Sequence, residues 1–147
     1  MIRLPTKQRY ATRIMVYLAS RDGSQPVRKI EIARAESIPH DYVEQICMKL
    51  KAGGLVMSHR GKKGGFSLAR DPAKITVADI MTAVDGRHPM APCLGNEGCA
   101  RRAVCVTQHL WRKASAALED VLSGTTVAEL AGQARQLAAS RVTMFDI

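Results

Sequence analysis

Apolar positions recur along this chain with two periods, and the change from one to the other predicts its elements. Over residues 13–19 (RIMVYLA) the apolar positions between Ile14 and Leu18 keep helical spacing, and the turn-rich RDGSQP follows, which predicts a first helix and its stop. A second helix is predicted over 27–35 (VRKIEIARA), with Ile30, Ile32 and Ala33 available for a core. Ser37, Ile38 and Pro39 interrupt the pattern, and proline suits the start of the next helix. That third helix, over about 40–51, places Val43, Ile46, Cys47 and Leu50 at i, i+3, i+4 and i+7, so these four share a buried face. Asp41, Tyr42, Gln45, Met48 and Lys49 look outward from the other side. The period then falls to two: GGLVMSHRGKKGGFSLAR reads as a strand at 55–59, a glycine-rich turn at 60–65 and a strand at 66–69.

Helical spacing returns in ITVADIMTAVDG, where Thr76 and Asp79 have the form of a capping box, repeated by Thr126 and Glu129. RHPMAPCLGNEGCARRAVC has prolines, glycines and no apolar period, and reads as a loop. From 104 to about 122, Leu110, Trp111, Ala114, Ala117, Leu118, Val121 and Leu122 form a broad stripe on a helix of about five turns. Little remains in the chain to cover that stripe, so the helix is expected to pair with its twin in a homodimer. Residues 128–147 read as partly helical and then frayed.

The charge gives this pattern a direction. The formal charge of the 147 residues is +9, and all of it lies in residues 1–70, while 71–147 sum to zero. A basic half beside a neutral one is expected to meet a polyanion, against the plainer reading of a solvated basic face. Two short helices, a tight turn and a basic hairpin form a winged helix-turn-helix, whose recognition helix enters the major groove of DNA. Arg60, Lys62 and Lys63 on the hairpin tip can reach phosphates or a narrow minor groove. A homodimer would set two such heads on a pseudo-palindromic operator. RGKKGG lacks the phosphate-loop spacing and does not lead into a helix. With no nucleotide-binding fingerprint and no acid–base constellation, an enzyme with a small-molecule substrate is not expected. No run approaches the roughly 18 apolar residues of a membrane span, and the N-terminal residues are peppered with charge, which reads as cytoplasmic. The expected class is mainly α with a small β-hairpin, with residues 1–72 as the DNA-binding region and 73–147 carrying the loop and the dimerisation helices.

Cys93, Cys99 and Cys105 stand at equal intervals with five residues between each pair. Structural zinc usually takes cysteines two to four residues apart, which disfavours it here. An iron–sulfur cluster is wider and suits a longer loop that Gly95 and Gly98 allow to wrap. A metal-free thiol switch is the third reading, since Arg101 and Arg102 could lower the pKa of a neighbouring thiol. Three thiolates leave one position to fill. His109 lies four residues beyond Cys105; Gln108, His88, Asp85 and a partner side chain are other candidates. Cys47 reads as a small core residue.

Taken together, RLPTKQRYA, IPHDYVEQI, KAGGLVMSHRGKKGGFSLAR, TVADIMTAVDG, the evenly spaced cysteines and the LW after them resemble the bacterial iron–sulfur and nitric-oxide responsive repressors of the IscR, NsrR and RirA type, over nearly the whole chain. The resemblance implies a homodimeric transcription regulator, a repressor whose operator affinity is set by one cluster per subunit that senses iron, oxygen, nitric oxide or redox state. It places Tyr42, Glu44, Gln45 and Lys51 on the DNA-reading helix and Arg60 in the minor groove; His40, Lys49, Lys62 and Lys63 complete the expected contacts. It makes Cys93, Cys99 and Cys105 the cluster ligands. In the iron–sulfur member the ligating histidine comes three residues after the last cysteine, where this chain has Gln108. A 2Fe-2S cluster with His109 is the first reading and a 4Fe-4S cluster with an oxygen ligand the second.

Overall fold

A computed structural model describes residues 3–143 apart from 22, 24, 88 and 96–98. The expected fraying beyond the last helix, together with His88 and Gly98, lies outside the described residues. Six helices and one antiparallel hairpin follow in the order α1 (Thr6–Ser20), α2 (Lys29–Glu36), α3 (His40–Ala52), β1 (Val56–His59), β2 (Gly65–Leu68), α4 (Val77–Asp85), α5 (Val106–Gly124) and α6 (Val127–Thr143). This is the mainly helical winged helix-turn-helix expected from the pattern.

The first helix begins seven residues earlier than the apolar period suggested, directly after Pro5. Its first turns are mostly polar, so no hydrophobic repeat announces them. Ala11, Ile14, Met15 and Leu18 bury one stripe, and α3 answers with Val43, Ile46, Cys47 and Leu50 as read from the sequence. Burying each large aliphatic side chain of such a stripe contributes about 1.5–3 kcal/mol. The second helix is shorter than expected. Val27 is extended and exchanges both backbone hydrogen bonds with Phe66, each 2.8 Å, giving the hairpin a third edge. Ile32 is fully buried, but Ile30, expected in the core, is 52% exposed, because an eight-residue helix on the surface buries only a narrow stripe. Ser37 closes α2 in the left-handed conformation at φ 51°, and the buried Ile38 then directs the chain into α3.

In the hairpin, Val56 pairs with Leu68 and His59 with Gly65. A Cβ at Gly65 would lie 2.4 Å from the Val27 carbonyl oxygen, so only glycine lets the Val27 strand come this close. The capping box at Thr76 and Asp79 is complete, with bonds of 3.0 and 3.1 Å. At Thr126 the half in which the hydroxyl accepts from the Glu129 N–H is formed, at 3.2 Å.

Helix α5 returns along α4, so that Thr125 accepts from the Val77 N–H and the Val127 N–H donates to Ile75. Helix α6 then crosses α1 with Val127 and Ala131 buried. One core therefore joins Ile14 and Leu50 of the basic half to Ile75, Ile80, Val84 and Val127 of the neutral half, so the boundary expected at residue 72 does not divide the core. Among the described residues no helix is long and apolar enough to cross a membrane.

Candidate functional site

The exposed side of α3 is held from behind by its buried stripe. Tyr42 is half-buried and meets Tyr10 of α1 edge-on, with ring centroids 5.8 Å apart, which fixes its ring at the helix start. Glu44 pairs with Lys29 of α2 at 2.5 Å, and Lys51 donates to the Ser58 hydroxyl of β1 at 2.6 Å. These two bonds tie α3 to the helix before it and the strand after it. His40, Gln45 and Met48 are exposed on the same side. Lys49 is exposed, and its ammonium donates to the Val84 carbonyl at the C-terminal turn of α4, 3.0 Å away. A helix C-terminus carries unsatisfied carbonyls and partial negative charge, so it draws the ammonium.

Arg60, Lys62 and Lys63 are exposed on the tip of the wing. Lys62 and Lys63 also line a concavity of about 360 Å³ with Arg21 and Arg28. Arg21, just past α1, stacks over the Tyr17 ring at 5.9 Å, and Arg28 pairs with Glu31 at 2.7 Å. Neither arginine was singled out in the sequence, where each was simply part of the basic excess. The fold turns them into neighbours of the wing.

The cysteine loop lies between α4 and α5. Cys93 sits in a single 3-10 turn, Pro92–Leu94; Cys99 precedes a turn closed by bonds from Arg102 and Val104; Cys105 is the N-cap of α5. All three are free and half-exposed, whereas Cys47 is fully buried and its thiol is pushed up to about 12 by burial, with Glu44 adding to the shift. The pKa of Cys105 is lowered, first by a hydrogen bond shared with the Thr107 hydroxyl at 3.2 Å and then by the backbone N–H of Gln108. Arg101 is a lesser cause, so hydrogen bonds lead where arginines had been expected to.

Among the described residues, no three His, Cys, Asp or Glu side chains lie close enough together to hold a metal ion. The donor set suits a soft metal or an iron–sulfur cluster in its chemistry, being three unpaired thiols with access to solvent. His109 is exposed on α5, while Gln108 is buried and donates its amide to the Cys93 carbonyl at 3.2 Å.

The same loop starts from a well-anchored point. Asp85, at the end of α4, pairs with Lys7 and accepts from Gln8 at 3.2 Å, both from α1. Gly86 follows at φ 80°, a left-handed turn that frees the chain from α4. The end of α4 thus touches α1 and, through Lys49, α3, while its continuation carries the cysteines.

Comparison with known proteins agrees with this arrangement. The IscR regulators of Sodalis glossinidius and Serratia proteamaculans are 39% and 37% identical over 129 residues, which cover 88% of this chain and 78% and 79% of theirs. Among solved structures, CymR, the global cysteine regulator of B. subtilis, superposes with a TM-score of 0.77 at 32% identity, covering 90% of this chain and 98% of CymR. T. potens IscR does so with a TM-score of 0.75 at 32% identity, covering 90% and 88%. The Rrf2 family, described as iron-dependent transcriptional regulators, matches residues 4–133. The chain belongs to the Rrf2 family of DNA-binding transcriptional regulators.

Proposed function

We propose that this regulator binds its operator as a homodimer and that an iron–sulfur cluster held by Cys93, Cys99 and Cys105 sets its affinity. The observation that carries the reading is the placement of three free, half-exposed thiols on a loop between the helix that braces α3 and the long, largely uncovered α5. On α5, Val106, Leu110, Trp111, Leu118 and Val121 are 40–81% exposed, which supports pairing with a second copy. The relatives named IscR support the cluster, with 2Fe-2S as the type the sequence resemblance implies. Bound there, a cluster supplies a centre that gains or loses electrons or is dismantled by oxidants and nitric oxide.

The residues of the chain do the rest. His40, Tyr42, Glu44 and Gln45 offer side chains to base edges, and Arg60, Lys62, Lys63, Arg21 and Arg28 neutralise phosphates, so affinity falls with salt. Drawing the three thiols onto one cluster couples ligand binding to the conformation of the loop, and part of the binding free energy appears there. The loop then pulls on Gly86 and the end of α4, whose Val84 carbonyl and Asp85 carboxylate are bonded to α3 and α1. Sensing is a linkage between the loop and the reading helix.

Anaerobic purification tests this: the protein should be coloured, contain iron and sulfide, and change operator affinity when the cluster is removed. A colourless, iron-free protein that binds its operator unchanged would exclude it. A metal-free thiol switch is the second reading, favoured by the likeness to CymR, one relative of which was solved in an oxidized form. It requires that a mild oxidant change operator binding of the iron-free protein. Stoichiometric zinc with no response to oxidant would instead indicate a structural metal.

A further inference from the structure

We propose that Gln108 is a positioning residue that latches the Cys93 end of the loop to the first turn of α5, and that this face of the helix therefore contributes a clasp. Helix α5 is open to solvent along most of its length, and Gln108 is its only buried residue. Among the described residues it is also the only buried polar side chain, 7% exposed. A buried amide is costly unless bonded, and the Gln108 side chain meets that need by donating to the Cys93 carbonyl, fifteen residues back across the loop. Its backbone N–H donates to the Cys105 carbonyl at 3.3 Å. One residue thus touches the backbones of both outer cysteines and sets the span within which Cys99 must work.

The geometry also separates Gln108 from His109. Consecutive helix residues stand about 100° apart. Gln108 turns to the loop with its donor already committed, and His109 points to solvent. Retaining a cluster then depends on Gln108 through the loop, as a positioning residue and not as a ligand. This second half rests on the cluster reading above; the latch itself does not.

The test compares the full-length wild type with Gln108→Met, which keeps the length of the side chain without its N–H donors. In iron-free, reduced protein, Q108M should raise the alkylation rate of Cys93 several-fold and speed amide exchange of Leu94 and Gly95 about tenfold, with Cys47 unchanged. In cluster-loaded protein, Q108M should release iron to a chelator several-fold faster and shift the visible spectrum. Equal alkylation and exchange in Q108M and wild type overturn the latch. Iron release from Q108M at the wild-type rate overturns the dependence of the cluster on the latch. If wild-type protein takes up no iron and sulfide, the cluster reading fails, and the iron-free measurements alone decide the latch. Helical circular dichroism checks folding, and should Q108M not fold, Gln108→Leu, which likewise has no donor, is read in the same way.

Discussion

On α3, the residues proposed to meet DNA stand on a backbone whose other face is sunk in the core through Val43, Ile46, Cys47 and Leu50; on α5, Gln108 is tied to the cysteine loop by one amide-to-carbonyl bond. The first region is rigid before its partner arrives. The second has its thiols on a loop with few buried contacts, anchored at Asp85 on one side and at Gln108 on the other. A surface that must recognise a fixed duplex gains from preorganisation, because ordering costs are met on folding and not on binding. A sensor loop must instead have two arrangements close in free energy, and such elements come from the less stable end of a structure.

The contrast breaks most visibly at the core. Leu50→Ala should lower unfolding free energy by about 2–5 kcal/mol and weaken operator binding with it, measured by urea denaturation and titration. Cys99→Ala should shift the same denaturation curve by less than about 0.5 kcal/mol while removing iron binding. Equal losses of stability would show that the loop is as much a part of the core as α3. At the interface, Arg60→Ala should cost about 1–3 kcal/mol of operator affinity without bleaching the cluster. Removing Lys62 or Lys63 should lower the slope of log affinity against log salt by about 0.9 each; an unchanged slope would take that lysine off the phosphates. The smallest effect sharpens the comparison at its bridge. Lys49→Met should cost about 0.5–1.5 kcal/mol of stability. Its operator binding should respond less to cluster removal than wild type does, and an undiminished response would remove the α4 route.

Legibility followed the strength of the local signal. The four buried residues of α3 were readable because helical period and burial coincide there, and the α4 cap because Thr76 and Asp79 act within one turn. The start of α1 was not readable, since TKQRYAT has no apolar repeat, and its helicity is used for long-range bonds from Lys7 and Gln8 to Asp85. Lys49 reads as a DNA contact because its position on the helix is polar, and only the approach of α4 gives its ammonium the Val84 carbonyl. Arg21 and Arg28 joined the basic surface once Val27 had bridged to Phe66 and brought the wing beside them.

The sequence by itself determined the class of fold, the basic half and the three evenly spaced thiols, because periodicity, charge and residue chemistry are local properties of a chain. Tertiary structure decided which cation serves a helix end, which arginines flank the wing and which neighbour of Cys105 faces the loop. Those choices turn on hydrogen bonds between residues 15 to 77 positions apart and on a buried amide that must find an acceptor, and neither follows from order along the chain.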